Sequence, residues 1–106
     1  MKIAVLGAGA WGTAVAITAD VGIEAEIAAA FGKVVATYGR LDILVANAGI
    51  FSAERDGRVH GLDKAVWDEI LGVNLTGMYL SCKHGVAAIR DTTGTGCVVM
   101  TVSPTG

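Results

Sequence analysis

Cysteine and proline are scarce in this chain. Its 106 residues include one proline and two cysteines, Cys82 and Cys97, which lie far apart in the sequence. A disulfide framework or a zinc site needs more cysteine or histidine ligands at close, paired spacings, so we expect neither a disulfide nor a metal site. The two thiols are predicted to be buried and unpaired, as in a protein of the reducing cytoplasm.

Charged residues are also few, and neither sign dominates. Eight basic residues against ten acidic ones give a net charge of −2, and the sequence has no run of basic residues. This balance excludes an electrostatic surface for nucleic acid. Because 53% of the residues are apolar, low-complexity disorder is excluded as well, and a single domain over residues 1–106 is predicted.

The N-terminus contains a long uncharged segment. Met1 and Lys2 precede a run from Ile3 to Ala19 without any charged residue. In length and composition this run imitates a signal peptide or a membrane span. Glycines interrupt it at positions 7, 9 and 12, a spacing that is better explained by a nucleotide-binding loop. We therefore expect neither export nor contact with a membrane.

The remaining pattern alternates strands with helices. Short uncharged runs rich in β-branched residues predict strands buried on both faces, while apolar residues at helical spacing predict amphipathic helices. This alternation is typical of an α/β fold, here a partial Rossmann-like parallel sheet with flanking helices. One segment, 14–23, stays open, because Val15–Thr18 fits either a strand or the end of a helix that starts near Ala10, and it follows Leu6 too closely for a parallel crossover. The predicted elements are strands at Ile3–Leu6, Leu41–Ala46 and Cys97–Thr101, a loop at Ile50–Gly61, and helices at Glu24–Tyr38, from Leu62 to Leu71 with Asp63 as cap, and from Leu75 to Ile89 after a break at Gly72–Asn74.

A glycine-rich loop follows the first predicted strand. Gly7, Gly9 and Gly12 form the pattern G-x-G-x-x-G, in which the backbone turns tightly, approaches a pyrophosphate and enters a helix whose first amides hold the phosphates. The segment Lys2–Ala14 resembles the N-terminus of NAD-dependent glycerol-3-phosphate dehydrogenases. The acidic residue that should hold the ribose about twenty residues further on is missing, because Gly32 stands there. We therefore expect weak or absent binding of NAD or NADP, with a glycine-rich turn that binds nothing as the alternative.

Four further motifs occur in order after Val15. They are the pair Asp20-Val21, the triplet Asn47-Ala48-Gly49, the segment Val73–Gly77 around Asn74, and Ser103. This series resembles the middle of a short-chain dehydrogenase/reductase. The resemblance implies that Asp20 and Val21 contact the adenine ring of the cofactor and that Asn47, Ala48 and Gly49 support the sheet and line the cofactor. It further implies that Asn74 holds a proton-relay water and that Ser103 is the catalytic serine.

The sequence also departs from that family. The family's own phosphate loop, T-G-x-x-x-G-x-G, is replaced, and its Tyr-x-x-x-Lys motif, expected about a dozen residues after Ser103, does not occur before Gly106. These departures predict a truncated or chimeric domain, with residues 1–14 as a phosphate-loop segment and residues 15–106 as a short-chain dehydrogenase-like segment. Gly22 and Ile23 replace the family's capping Thr-Asp, so the helix at Glu24 is expected to begin without a side-chain cap.

The expected function is that of an NAD(P)-dependent oxidoreductase fragment that is inactive alone. Of the catalytic set that the resemblance implies, only Ser103 and Asn74 are present. Two other hypotheses stay open: a rearranged, non-catalytic α/β protein that binds no nucleotide, and a fragment that docks with the remainder of a dehydrogenase. Asn74 could also simply cap a helix that starts at Leu75, and Ser103 could belong to an ordinary strand-ending turn.

One tyrosine and one lysine do occur at the family's spacing. Tyr79 and Lys83 lie one helical turn apart, but they precede Ser103 instead of following it. We expect this pair to pack on the apolar stripe of its helix, with the lysine reaching to solvent. The same helix carries Leu75, Val86 and Ile89, and the resemblance places it at a subunit interface. We therefore expect exposed apolar side chains there and a homo-oligomer.

Overall fold

The strands form two separate pairs of opposite sense. The computed structural model describes residues 2–8 and 14–103, the first seven and Ala14 through their backbone. Strands β1 (Lys2–Ala8) and β2 (Ala14–Asp20) pair antiparallel, whereas β3 (Ile43–Ala46) and β4 (Cys97–Met100) pair parallel. The segment 14–23, which the sequence left undecided between strand and helix, is thus a strand up to Asp20. The prediction that the first strand belongs to the parallel sheet is wrong, because residues 9–13 are too few to form a crossover.

Helix α1 (Glu24–Tyr38) has the bounds that its periodicity predicts. It buries Ile27, Ala30, Phe31 and Val34, which repeat at helical spacing. Gly39 closes the helix with φ 76°, and its N–H donates to the carbonyl of Val35. At the other end Ile23 takes the cap position without a side-chain hydrogen bond, as its replacement of a capping residue predicts.

A second, longer helix runs without interruption from residue 64 to residue 92. It consists of α2 (Lys64–Leu71), a wide π-helical turn (Gly72–Gly77) and α3 (Met78–Thr92). Asp63 caps its start, as predicted, by accepting a hydrogen bond from the N–H of Ala65 at 3.1 Å. The predicted break at Gly72–Asn74 is wrong, since the wide turn takes up the glycine and asparagine while the helix continues.

The core lies between the helices and one face of the parallel sheet. Leu44 and Ala46 of β3 face the helices and are buried. Ile43 and Val45 face the other way and are 61% and 60% exposed, so the expectation of strands covered on both faces is wrong for β3. The core cluster comprises Val21, Ile27, Phe31, Leu44, Ala46, Val73, Leu80 and Ile89. Parallel pairing with helices packed against the sheet confirms the α/β class.

Candidate functional site

Several motif residues follow the carboxyl ends of the two parallel strands. Asn47, Ala48 and Gly49 come directly after β3, with Asn47 and Gly49 exposed and Ala48 half-buried. The N–H of Thr101 donates to the carbonyl of Ala46 at 3.0 Å, which keeps the chain beside β3 beyond the last residue of β4. The exposed Ser103 therefore leaves the sheet at the same edge as the Asn47 triplet. In α/β sheets ligands bind at this edge.

Asn74 fixes the loop that follows this triplet. Its Oδ1 accepts a hydrogen bond from the N–H of Ile50 at 2.7 Å, and its Nδ2 donates to the carbonyl of Ile50 at 2.9 Å. One amide side chain thus pairs with both polar backbone groups of one residue, as a neighbouring strand would. Because Asn74 lies inside the continuous helix, the alternative that it caps a helix at Leu75 is wrong.

Strand β2 ends at Asp20, and Val21 lies in the tight turn that follows. The Asp20 side chain accepts a hydrogen bond from the N–H of Gly22 at 2.9 Å. The backbone carbonyl of Asp20 accepts one from the N–H of Ile23 at 3.1 Å. The N–H of Asp20 donates to Oε2 of Glu26 at 2.8 Å. The Val21 side chain is only 4% exposed and belongs to the core. What this turn offers to a ligand is therefore its backbone and the Asp20 carboxylate.

The glycine loop has a different setting from the one that its pattern predicts. Gly7 lies in strand β1 opposite Val15 of β2. Gly9 and Gly12 lie outside the described residues. A phosphate loop of this type leads into a helix, whose first amides bind the anion. Here the chain enters strand β2 at Ala14, so no helix follows the loop in residues 14–20.

Tyr79 and Lys83 do not form a packed pair. Tyr79 is 60% exposed, contrary to the expected packing on the apolar stripe. Lys83 Nζ lies 2.5 Å from Oε1 of Glu24, and Nε2 of His84 lies 2.9 Å from the same oxygen. The hydrogen bond from Lys83, with a smaller contribution from His84, lowers the pKa of Glu24, while Glu24 raises the pKa of Lys83. The ammonium of Lys83 thus forms an ion pair with Glu24, and this pair links α3 to α1.

The two cysteines are free, as predicted, but neither is buried. Cys82 is half-buried and Cys97 is exposed at the start of β4. The reason for the difference at Cys97 is the bare outer face of the parallel sheet. Among the described residues no group of three or more histidine, cysteine, aspartate or glutamate side chains could hold a metal ion.

A family comparison identifies this arrangement. The sequence profile of the family described as short chain dehydrogenase matches residues 4–106. The chain belongs to this family. Its match begins before Val15 and so includes most of the segment that resembles glycerol-3-phosphate dehydrogenases.

Individual relatives in the short-chain dehydrogenase family agree with this assignment. The cis-4-hydroxycyclohexanecarboxylate dehydrogenase of Sinomonas cyclohexanicum is 39% identical over 78% of this chain and 32% of its own length. An uncharacterised NAD-dependent oxidoreductase of Mycobacterium tuberculosis is 36% identical over 82% of this chain and 30% of its own length. The crystal structure of a 3-ketoacyl-ACP reductase from Sinorhizobium meliloti superimposes with a TM-score of 0.75 at 35% identity, covering 84% of this chain and 34% of that one. The chain therefore spans about a third of the length of these relatives.

The structure also assigns roles to residues that motif matching overlooked. Ile50 supplies the backbone groups that Asn74 holds, and Gly22 and Gly77 allow the turn after β2 and the wide helical turn to approach each other closely. For Gly77, the sequence signal that could have indicated this role was its position at the end of the Val73–Gly77 motif. No helix in the described part of the chain has the length and apolar composition needed to cross a membrane.

Proposed function

We propose that this chain forms part of the dinucleotide site of an NAD(P)-dependent short-chain dehydrogenase and does not transfer hydride by itself. The observation that supports this most directly is the pairing of Asn74 with Ile50. It fixes the loop after Asn47-Ala48-Gly49 at the carboxyl edge of a parallel sheet, where an α/β fold binds its ligand.

The residues at this edge fit a dinucleotide in part. Gly49 is exposed and has no side chain to shield its backbone, and Asn47 beside it is exposed. These residues, with Asp20 and the backbone of Val21, would hold the cofactor. When bound, its nicotinamide supplies or accepts the hydride. Asn74 keeps the 47–50 loop in place for this contact.

Catalysis requires a proton donor that this chain does not position. The resemblance implies Ser103 and Asn74 as members of the catalytic set, and the one Tyr-x-x-x-Lys within residues 1–106, from Tyr79 to Lys83, precedes Ser103. Tyr79 is a poor substitute, since it precedes Ser103 in the chain and the ammonium of Lys83 pairs with Glu24. Loss of a positioned acid costs about 10²–10⁴ in rate.

The test of catalysis is NADH and NADPH oxidation with a panel of ketones and aldehydes. We expect no turnover above the rate without protein, for the parent chain as for Tyr79→Phe and Ser103→Ala. Turnover that Tyr79→Phe abolishes while the fold is retained would show that Tyr79 and Lys83 form a working site.

Binding of the cofactor is expected to be weak or absent. No carboxylate stands at position 32 to hold the ribose, and a strand rather than a helix follows the glycine loop. We expect dissociation constants above about 10 μM, weaker than about −7 kcal/mol, for NADH and NADPH by isothermal titration. A tighter complex would contradict this expectation. Complete absence of binding, at millimolar cofactor, would instead favour the second candidate, a non-catalytic α/β protein.

The remaining proposals concern surroundings and partners. We propose that the chain acts in the cytoplasm, because its two cysteines are free. We also propose that it forms a homo-oligomer, because Leu75, Tyr79 and Val86 line one exposed side of the long helix. The exposure expected on this helix is found at Leu75 and Val86, whereas Ile89 is buried in the core.

A further inference from the structure

The turn at the end of β2 is held together by hydrogen bonds among residues 20–26. Three hydrogen bonds close it, from the N–H of Gly22 to the Asp20 carboxylate, from the N–H of Ile23 to the Asp20 carbonyl, and from the N–H of Asp20 to Glu26. A displacement of Val21, in the middle of this turn, therefore moves the Asp20 carboxylate with it.

This turn rests on the wide helical turn at two places, each with a glycine. A Cβ on Gly22 would lie 3.1 Å from the carbonyl oxygen of Gly72. A Cβ on Gly77 would lie 2.6 Å from Cγ2 of Val21 and 3.0 Å from its Cβ. Real Cβ atoms essentially never come as close as 2.6 Å to another atom, and a distance of 3.0–3.1 Å is tighter than most of their contacts. The two turns therefore approach this closely because both positions lack a side chain.

Val21 cannot yield to such a contact by rotating its side chain. It is β-branched and therefore stiff about χ1, and it is 4% exposed in the core. The atom 3.0 Å away is its Cβ, which is fixed to the backbone. A methyl group at position 77 must consequently move the backbone of residues 20–23 relative to the long helix.

We propose that Gly77 is a positioning residue, which sets the height of the Asp20–Ile23 turn above the long helix. Asn74, in the same helical turn, fixes the 47–50 loop through Ile50. The wide turn Gly72–Gly77 thereby sets the distance between the two segments that the proposed dinucleotide site contains. The functional part of this inference rests on the proposed function, because it takes Asp20 and Val21 as the contact for a purine ring.

Gly85 offers a matched control on the same helix. A Cβ there would lie 2.5 Å from Cδ2 of Leu44 and 3.2 Å from Cζ of Phe31. Both atoms are at the ends of long side chains, which can shift without moving a backbone. Gly85→Ala thus adds the same methyl group to the core, but it presses on side-chain ends away from the Asp20–Ile23 turn.

The first experiment compares amide NMR spectra of the ligand-free proteins. We expect Gly77→Ala to move the signals of residues 20–23 and Gly85→Ala to leave them at their wild-type positions. Adding Val21→Ala to Gly77→Ala removes Cγ2, the atom that would lie 2.6 Å from the new methyl group, and leaves the wider 3.0 Å contact with Cβ. The signals of Asp20 and Gly22 should therefore return most of the way toward those of Val21→Ala alone. If Gly77→Ala does not fold, the double variant against Val21→Ala decides the question. Unmoved signals in Gly77→Ala, or a double variant displaced from Val21→Ala as far as Gly77→Ala is from the wild type, would overturn the proposal.

The second experiment titrates AMP, with nicotinamide mononucleotide as the ligand without adenine. In the wild type AMP should shift the amides of residues 20–22. Gly77→Ala should weaken AMP binding about tenfold, or roughly 1.4 kcal/mol, while Gly85→Ala leaves it nearly unchanged. Equal AMP affinity of the wild type and Gly77→Ala would disprove the effect on binding while leaving the adenine site intact. If AMP leaves the wild-type turn unshifted, the adenine contact in the proposed function is wrong, and the ligand-free spectra still decide how the turn is seated.

Discussion

At the scale of single residues, the hydrogen bonds between Asn74 and Ile50 can be tested by a single substitution. Asn74→Ala removes two hydrogen bonds to the backbone of Ile50, each worth about 0.5–1.5 kcal/mol in net stability. Alanine's better helix propensity returns roughly 0.5 kcal/mol. We expect the free energy of unfolding to fall by about 0.5–2.5 kcal/mol in urea denaturation, with faster hydrogen exchange at Ile50.

Thr76→Ala is the control for Asn74→Ala. It lies in the same wide turn and is exposed, so it makes the same gain in helix propensity without loss of the Ile50 contact. We expect a change within about 0.5 kcal/mol. A stability loss in Thr76→Ala as large as that in Asn74→Ala would mean that the wide turn, not its contact with Ile50, determines the effect.

Glu24 gives a prediction about pH at the same scale. Its pKa is lowered from 4.5 first by the hydrogen bond from Lys83 and then by His84. A carboxyl group with a lowered pKa in the folded state stabilises the protein above its unfolded-state pKa, and this contribution is lost as the pH falls through the folded-state value. We therefore expect Glu24→Gln to lower Tm near neutral pH and the difference from wild type to shrink below about pH 4.

The same comparison in a Lys83→Met background tests the cause. Without the ammonium, the effect of Glu24→Gln near neutral pH should be smaller, because the largest cause of the lowered pKa is gone. An undiminished effect of Glu24→Gln in that background would show that Lys83 is not its main partner.

At the scale of elements, the start of α1 is the place where a substitution should stabilise the protein. Ile23 has the extended backbone of a cap residue, φ −111° and ψ 108°, but its side chain makes no cap hydrogen bond and is 50% exposed. Ile23→Thr keeps the β-branch and adds a hydroxyl acceptor for the free amides of the first turn. We expect a gain of about 0.5–1 kcal/mol in unfolding free energy. Ile23→Val, which is β-branched without a hydroxyl, should give no gain, and an equal gain from Val would point to a cause other than capping.

The long helix shows how far pattern alone reaches at this scale. Its apolar spacing and the Asp63 cap were predicted from the sequence, whereas its continuity through Gly72–Gly77 was not. Two glycines and an asparagine have poor helix propensity, which predicts a break. The contacts of Asn74 with Ile50 and of Gly77 with Val21 join this turn to the segments that follow β3 and β2, and such tertiary contacts override local propensity.

At the scale of the whole molecule, we expect self-association through the long helix. Leu75 is 63% exposed on the same side as Tyr79 and Val86, and Leu75→Lys places a charge there. Light scattering behind size exclusion at tens of micromolar should show a species larger than the monomer for wild type and a shift toward monomer for the variant. Val45→Lys, on the bare sheet face, should leave the association unchanged. A monomeric wild type would refute the proposal, and dissociation by Val45→Lys alone would assign the contact to the sheet.

The sequence by itself determined the α/β class, the bounds of α1, the Asp63 cap, the missing cap at Ile23 and the family, because each depends on spacing or on residue type over a short range. Only the tertiary structure decided that β1 and β2 pair antiparallel, that β3 has one bare face, that Lys83 is held by Glu24 and that Asn74 binds Ile50. Apart from the hairpin of β1 and β2, those features depend on elements that are distant in the chain. Their energies depend on which surfaces meet, and no local pattern of side chains specifies that.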